Sequence, residues 1–306
     1  MKSSHFKAGL KGKQVPCPLS KILQGVVHQL ESAGIENPRL EAEILLAHLL
    51  QISRIELYTR WDEECQDFPA EEFQTLVFRR SRHEPLAYLI GQREFWSLDF
   101  TVSPSVLIPR PETEFVVEAV VRSVSPGPAR IVDVGTGSGN IAVCLARQIP
   151  QSRIFALDIS EAALQVARRN AARHQVSGQI MFLQADLLSA FAPNLPSRTI
   201  DCVVSNPPYI PSADIPALAP DVRSFEPKLA LDGGADGLGY YRRLIQESRG
   251  ILKAGGWLIM EMGYGQKDAL VREVHSAGYE VQEIIADYAG IDRVIVARLR
   301  SYQLSV

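Results

Sequence analysis

The chain has 306 residues, and 32 Lys+Arg against 35 Asp+Glu give a formal net charge of −3. That balance argues against a generic polyanion binder, and 46% hydrophobic with 22% charged residues excludes a disordered or fibrous chain. The length accommodates one large domain and one smaller one, each able to bury a core.

Residues 1–17 read as a basic tail carrying Lys2, Lys7, Lys11 and Lys13. From Leu19 the apolar residues Leu19, Ile22, Leu23, Val26, Val27 and Leu30 fall at the helical period. A second helix is expected with Asn37 as N-cap and Pro38 at its first position. A third starts at Ser53, with Glu56 spaced for a capping box, and a fourth carries Phe73, Leu76 and Val77. Residues 18–83 therefore read as a small helical bundle. Residues 84–109 read as a linker: Arg93–Phe100 and Val106–Ile108 are aromatic and β-branched, and Pro104 between them suggests the turn of a hairpin.

From residue 110 to 306, short apolar runs alternate with helical patterns. Ile131–Val134, Ile154–Leu157, Ile180–Leu183, Ile200–Val204 and Trp257–Met260 read as buried strands, with helices over Glu161–His174 and Tyr240–Leu252 among them. Such βα repetition predicts an α/β fold with a mostly parallel sheet covered on both faces. Tyr279–Ala286 and Arg293–Ala297, joined by the turn of Asp287–Asp292, predict an antiparallel hairpin at its edge.

Asp133-Val-Gly135-Thr136-Gly137-Ser138-Gly139-Asn140 follows the first of these strands and opens a helix, a position that suits a nucleotide-type ligand. The GxGxG spacing puts Asn140 where a dinucleotide fingerprint needs its third glycine, which disfavours pyrophosphate. Asp158 ends the second strand, where a carboxylate can accept from both hydroxyls of a ribose. Asp186, at the end of the third, can accept from an adenine amino group, with Leu187 against the ring. After the fourth strand comes Asn206-Pro207-Pro208-Tyr209. Methylating a conjugated nitrogen requires acceptors for its two N–H groups, and Asn206 Oδ1 and the Pro207 carbonyl can supply them. Proline makes their positions rigid, and Tyr209 offers a face for a planar group.

With these motifs the chain resembles the HemK/PrmC family, the release factor glutamine methyltransferases. The resemblance spans about residues 18–300 and is also carried by Leu107-Ile-Pro-Arg110-Pro-Glu112-Thr113-Glu114, Glu84-Pro-Leu-Ala-Tyr-Leu-Ile-Gly91, Phe225-Glu-Pro227 with Ala230-Leu-Asp-Gly-Gly234, and Asp287 to Arg293. It implies an S-adenosylmethionine-dependent methyltransferase Rossmann-like fold preceded by a small helical domain that recognises the substrate. The implied reaction moves a methyl group to the side-chain amide nitrogen, N5, of the glutamine in the GGQ motif of class I peptide chain release factors. The implied cofactor set is Gly135 to Gly139 with Thr136 and Ser138, then Asp158, Asp186, Leu187, Arg110, Thr113 and Asn206. Asn206, Pro207 and Tyr209 would be catalytic, and the same three with Pro208 would hold the substrate.

The nearest rival is a DNA or RNA amino-methyltransferase acting on adenine N6 or guanine N2. Residues 1–108 hold 12 Lys+Arg and 14 Asp+Glu, a balance of −2, whereas a nucleic-acid reader should carry a basic patch. An NAD-dependent oxidoreductase does not account for NPPY, and neither does a catalytically silent binding module for translation factors. The four cysteines, Cys17, Cys65, Cys144 and Cys202, form no CxxC pair and the six histidines show no metal spacing, so no metal is expected and a reducing compartment fits. No run approaches the roughly 18 apolar residues of a membrane span. A cytoplasmic monomer, with no membrane or direct nucleic-acid partner, is the expectation.

Overall fold

The computed structural model describes residues 17–65, 68–124, 127–191 and 198–301. The basic tail, with its four lysines, lies outside the described residues apart from Cys17. The chain divides into two compact units, Met1–Ile90 and Gly91–Val306.

The first unit is helical. Strand β1 (Cys17–Pro18) leads into α1 (Leu19–Ser32), followed by α2 (Pro38–Leu50), α3 (Arg54–Thr59), β2 (Glu64–Cys65), α4 (Ala70–Ser81) and α5 (Leu86–Ile90). The predicted face of α1 is the buried one: Leu19, Leu23, Val26 and Leu30 pack with Leu45, Leu46, Leu57, Phe73 and Val77. At α3 the Ser53 hydroxyl accepts from Glu56 N and the Glu56 carboxylate accepts from Ser53 N, so the capping box is formed. Asn37 precedes α2 without a side-chain cap. The short β1–β2 pairing had no sequence signal. The segment read as linker from residue 84 is divided: α5 joins the helical core through Leu89, and the hairpin belongs to the second unit.

That hairpin is tighter than expected. Strands β3 (Gln92–Phe95) and β4 (Leu98–Thr101) pair antiparallel, and Trp96 and Ser97 make the turn with φ of 55° and 56°. Val106–Ile108 is not a strand. The two-residue turn needs positive φ at both positions, normally a job for Asn or Gly, so its signal is missing from the sequence. Tertiary contacts hold it instead: Trp96 N donates to Glu114 Oε1 at 2.7 Å, and Phe95 meets Phe100 edge to face.

The remaining elements are α6 (Glu114–Ser123), β5 (Arg130–Val134), α7 (Asn140–Gln148), β6 (Arg153–Asp158), α8 (Glu161–Arg173), β7 (Ile180–Gln184), β8 (Ile200–Ser205), α9 (Pro220–Phe225), α10 (Gly239–Ile251), β9 (Leu252–Glu261), α11 (Lys267–Ser276), β10 (Tyr279–Ala286) and β11 (Asp292–Leu299). They build a seven-stranded sheet of order β10-β11-β9-β8-β5-β6-β7. Strands β7, β6, β5, β8 and β9 are parallel, and β11 runs antiparallel between β9 and β10, as the closing hairpin predicts. Side chains alternate between faces: Ile131, Cys202 and Val204 pack with α6 and α7, and Val132, Val134 and Val203 with α10 and α11.

Two features fix the turn after β5. Asn170 of α8, wholly buried, donates to the carbonyls of Ser138 and Thr101 at 2.8 and 2.9 Å and accepts from Thr101 N. Gly139, with φ of 80°, sits where a Cβ would come within 3.0 Å of Ala167 Cβ and 3.2 Å of its Cα. Its missing side chain lets α7 pack against α8. Gly139→Ala combines a left-handed backbone with this crowding and should lower stability by about 1–3 kcal/mol, read as a shift of the urea midpoint. An unchanged midpoint would overturn this account of the glycine.

Candidate active site

Parallel pairing brings the strand ends level. Val134 of β5 is in register with Leu157 of β6 on one side and Ser205 of β8 on the other, and Ser205 with Met260 of β9. Sequence order reverses between β5 and β8, so the segments leaving them diverge and open a crevice. The cavity there is lined by Ser105, Val106, Leu107, Pro109, Arg110, Thr113, Gly135 to Ser138, Asn140, Asp158, Ile159, Asp186, Leu187 and Asn206 to Pro208, among others.

Most of the predicted residues converge on it. Gly135 and Gly137 take φ of 71° and 56°, and a Cβ on Gly135 would meet no heavy atom within 4 Å, so its place lies open. Asp158 is held by its neighbours: Oδ2 accepts from Gly137 N and Oδ1 from Ser160 N, both at 2.9 Å. Burial raises its pKa, while these backbone donors pull it down. Asp186 lines the cavity two residues beyond the end of β7, and Arg243 of α10 grips it with two bonds of 3.0 Å. Leu187, at φ 48°, occupies a left-handed conformation unusual for its type.

Two predicted residues lie off the cavity, and two in its wall are engaged by other side chains. Gly139 is not part of the lining and serves the packing of α7 on α8. Tyr209 is also absent from the lining: its hydroxyl faces Glu261 Oε1 at 3.4 Å and its ring packs beside the core of the α10–α11 face. Burial, with the Glu261 charge, pushes its phenol well above the usual range. Thr113 lines the cavity, but its hydroxyl donates to Glu261 Oε2 at 2.6 Å and accepts from Asn206 Nδ2 at 3.1 Å. Arg110 is in the wall with one nitrogen bound to Glu226, which also accepts from Ile108 N at 3.2 Å.

Several supporting groups were not assigned from the sequence. Glu261, the last residue of β9, is 2% exposed, and burial raises its pKa to about 7. Its signal was present as a carboxylate closing the apolar run WLIME at a strand's C-terminal end. Asp133 is wholly buried, accepts from Thr136 Oγ1 at 2.6 Å, has Oδ1 without a partner, and is likewise raised to about 7. Gln266 donates to the Tyr209 carbonyl at 2.9 Å and accepts from Gly263 N, fixing the exit of the NPPY segment.

Asn206 is the point where these contacts meet. Its Nδ2 is engaged by Thr113, and no described residue donates to its Oδ1 or to the Pro207 carbonyl. Two acceptors are thus left at the cavity that Asp158 also lines, an arrangement that suits donation from a planar NH2 group.

Comparison with known proteins agrees with this geometry. Residues 21–91 match the PrmC N-terminal domain and residues 131–225 a methyltransferase domain. The chain is 45% identical to the release factor glutamine methyltransferase of Moorella thermoacetica over 92% of this chain and 99% of that protein. It is 41% identical to that of Geobacter sulfurreducens, over 92% and 96% respectively. The solved hMettl16 catalytic domain, 16% identical, superposes with a TM-score of 0.51 over 78% of this chain and 83% of its own, a likeness of fold. On full-length similarity and both domain matches, the chain belongs to the release factor glutamine methyltransferase family.

Proposed function

We propose that the protein methylates N5 of the glutamine in the GGQ motif of class I peptide chain release factors, with S-adenosylmethionine as methyl donor. The observation that carries this reading is the pair of unpaired acceptors, Asn206 Oδ1 and the Pro207 carbonyl, in the wall of the cavity that the Asp158 carboxylate also lines.

The cavity suits that donor. Asp158 would take the ribose hydroxyls, the open backbone at Gly135 and Gly137 would admit the methionine part, and Leu187 and Ile159 supply apolar walls for adenine. Asp186 keeps a free lone pair on each oxygen beyond its bonds to Arg243. When bound, S-adenosylmethionine supplies a methyl group on a sulfonium sulfur, which keeps the electrons of the broken S–C bond. Asn206 and Pro207 would hold the two amide hydrogens of the acceptor. Accepting these bonds favours build-up of electron density on the nitrogen and orients it for the new N–C bond. The nitrogen then gives up one proton to solvent. Rigid prolines at 207 and 208 keep this arrangement in place before the acceptor arrives.

The helical unit is proposed to recognise the intact factor. Ile55 is 77% exposed and Phe78 57% exposed, apolar side chains available to a protein partner. The absence of a net positive balance in residues 1–108 supports a protein rather than a nucleic-acid acceptor. No described helix is long and apolar enough to cross a membrane. An acceptor that works in translation supports a cytoplasmic site of action.

Incubation with labelled S-adenosylmethionine and release factor, its GGQ-loop Gln→Ala variant, or duplex DNA should label the first alone; label on DNA would favour the nucleic-acid reading instead. In the same assay Asn206→Ala should cut kcat about 10²- to 10³-fold with cofactor affinity retained. Asp158→Ala should weaken S-adenosylmethionine binding by about 10- to 100-fold in calorimetry, as expected for loss of charge-assisted hydrogen bonds. Ile55→Ser or Phe78→Ser should lower kcat/KM for the intact factor by about tenfold and spare a short GGQ peptide. Equal loss on both substrates would remove the recognition role.

A further inference from the structure

Which face Asn206 turns to the acceptor is decided outside Asn206. A threonine hydroxyl has one proton, and that of Thr113 goes to Glu261 Oε2 at 2.6 Å. The Thr113 oxygen then offers only lone pairs, so the group facing it at 3.1 Å must be the NH2 side of the Asn206 amide. Oδ1 is thereby turned away, free to accept. We propose that Glu261 and Thr113 are positioning residues for methyl transfer, holding the Asn206 amide through a Glu261–Thr113–Asn206 hydrogen-bond chain in the one orientation that accepts from the substrate nitrogen. A turned amide would present N–H to N–H and hold nothing. The inference rests on the proposed role of Asn206 as acceptor.

The surroundings keep Glu261 in this role. Tyr241 Oη donates to the Glu261 main-chain carbonyl at 2.8 Å, and Tyr209 Oη faces Oε1 at 3.4 Å. Titratable neighbours face it from the flanking elements: Glu112 before α6, Tyr209 after β8, Tyr241 on α10 and Arg293 on β11. Burial sets the balance, raising Glu261 to about 7; Thr113 and Arg293 oppose the rise and Glu112 adds to it. Above that pH the carboxylate accepts the hydrogen bond that the Thr113 hydroxyl donates. Below it the carboxyl carries its own proton and becomes a donor, Thr113 is released to donate to Asn206 Oδ1, and the amide loses its orientation. The oriented state is therefore present at high pH and lost as pH falls through about 7.

The test compares Thr113→Val, which keeps shape without a hydroxyl, with Thr113→Ser, which restores it. With release factor as acceptor, Thr113→Val should lower kcat about 10- to 100-fold while the calorimetric Kd for S-adenosylmethionine moves less than about threefold. Thr113→Ser should recover kcat to within about threefold. In wild type, kcat should show an acid limb near pH 7, and Glu261→Gln should abolish it. Independently of turnover, the side-chain amide signals of Asn206 in ¹⁵N NMR, assigned by their loss in Asn206→Ala, should shift over the same pH range in wild type. They should stay still in Glu261→Gln. Equal loss in the Val and Ser variants, or an Asn206 signal indifferent to pH, overturns the proposal. A wild type that fails to label release factor but shows the NMR shift would overturn the acceptor assignment and keep the hydrogen-bond chain.

Discussion

Strand β5 is hydrogen-bonded in parallel on both sides, to β6 and to β8, and every functional group in the second unit depends on that placement. The register puts Val134, Leu157 and Ser205 side by side. The next residue along each strand is therefore Gly135, Asp158 and Asn206, delivered to one edge without any loop having to search for it. Since consecutive strands leave β5 in opposite directions across the sheet, the crevice opens between the helices that follow, as open α/β sheets require. Residues separated by more than 70 positions in sequence are thus brought together by backbone hydrogen bonds alone.

The two sides of the cavity solve different electrostatic problems. On the β6 side the backbone supplies the order: Gly137 N and Ser160 N aim the Asp158 carboxylate. On the β8–β9 side a buried carboxylate, Glu261, takes hydrogen bonds from side chains, and its charge is worth more to them because water is excluded. Leaving one such partner unmade would cost about 1–3 kcal/mol, so the Thr113 and Asn206 contacts are also a stabilising network. Stability and positioning are here the same set of bonds.

The first unit rests on its own core, and its buried Glu43 shows the same economy. This carboxylate of α2 accepts from Arg54 at 2.7 Å, Tyr58 at 2.7 Å and Arg39 at 3.1 Å. Burial raises its pKa and the three donors outweigh that, so Glu43 stays ionised and ties α3 back onto α2. A firm scaffold of this kind lets Ile55 and Phe78 remain exposed without loosening the helices that carry them.

Whatever depends on local period and local chemistry could be read from the order of residues. The face of α1, the capping box at Ser53, the five parallel strands, the edge hairpin, and the positions of Asp158 and Asn206 at strand ends were all legible. Period, capping and the strand–turn–helix rhythm act over a few residues. Tertiary structure alone decided what depends on partners distant in the chain. The Trp96–Ser97 turn is held by Glu114, Gly139 is needed by Ala167, Asp186 meets Arg243, and the hydroxyls of Thr113 and Tyr209 turn to Glu261. A hydrogen bond between Thr113 and Glu261 joins residues 148 positions apart, and no local pattern encodes it, because only folding of β9 beside β8 brings that carboxylate to the asparagine.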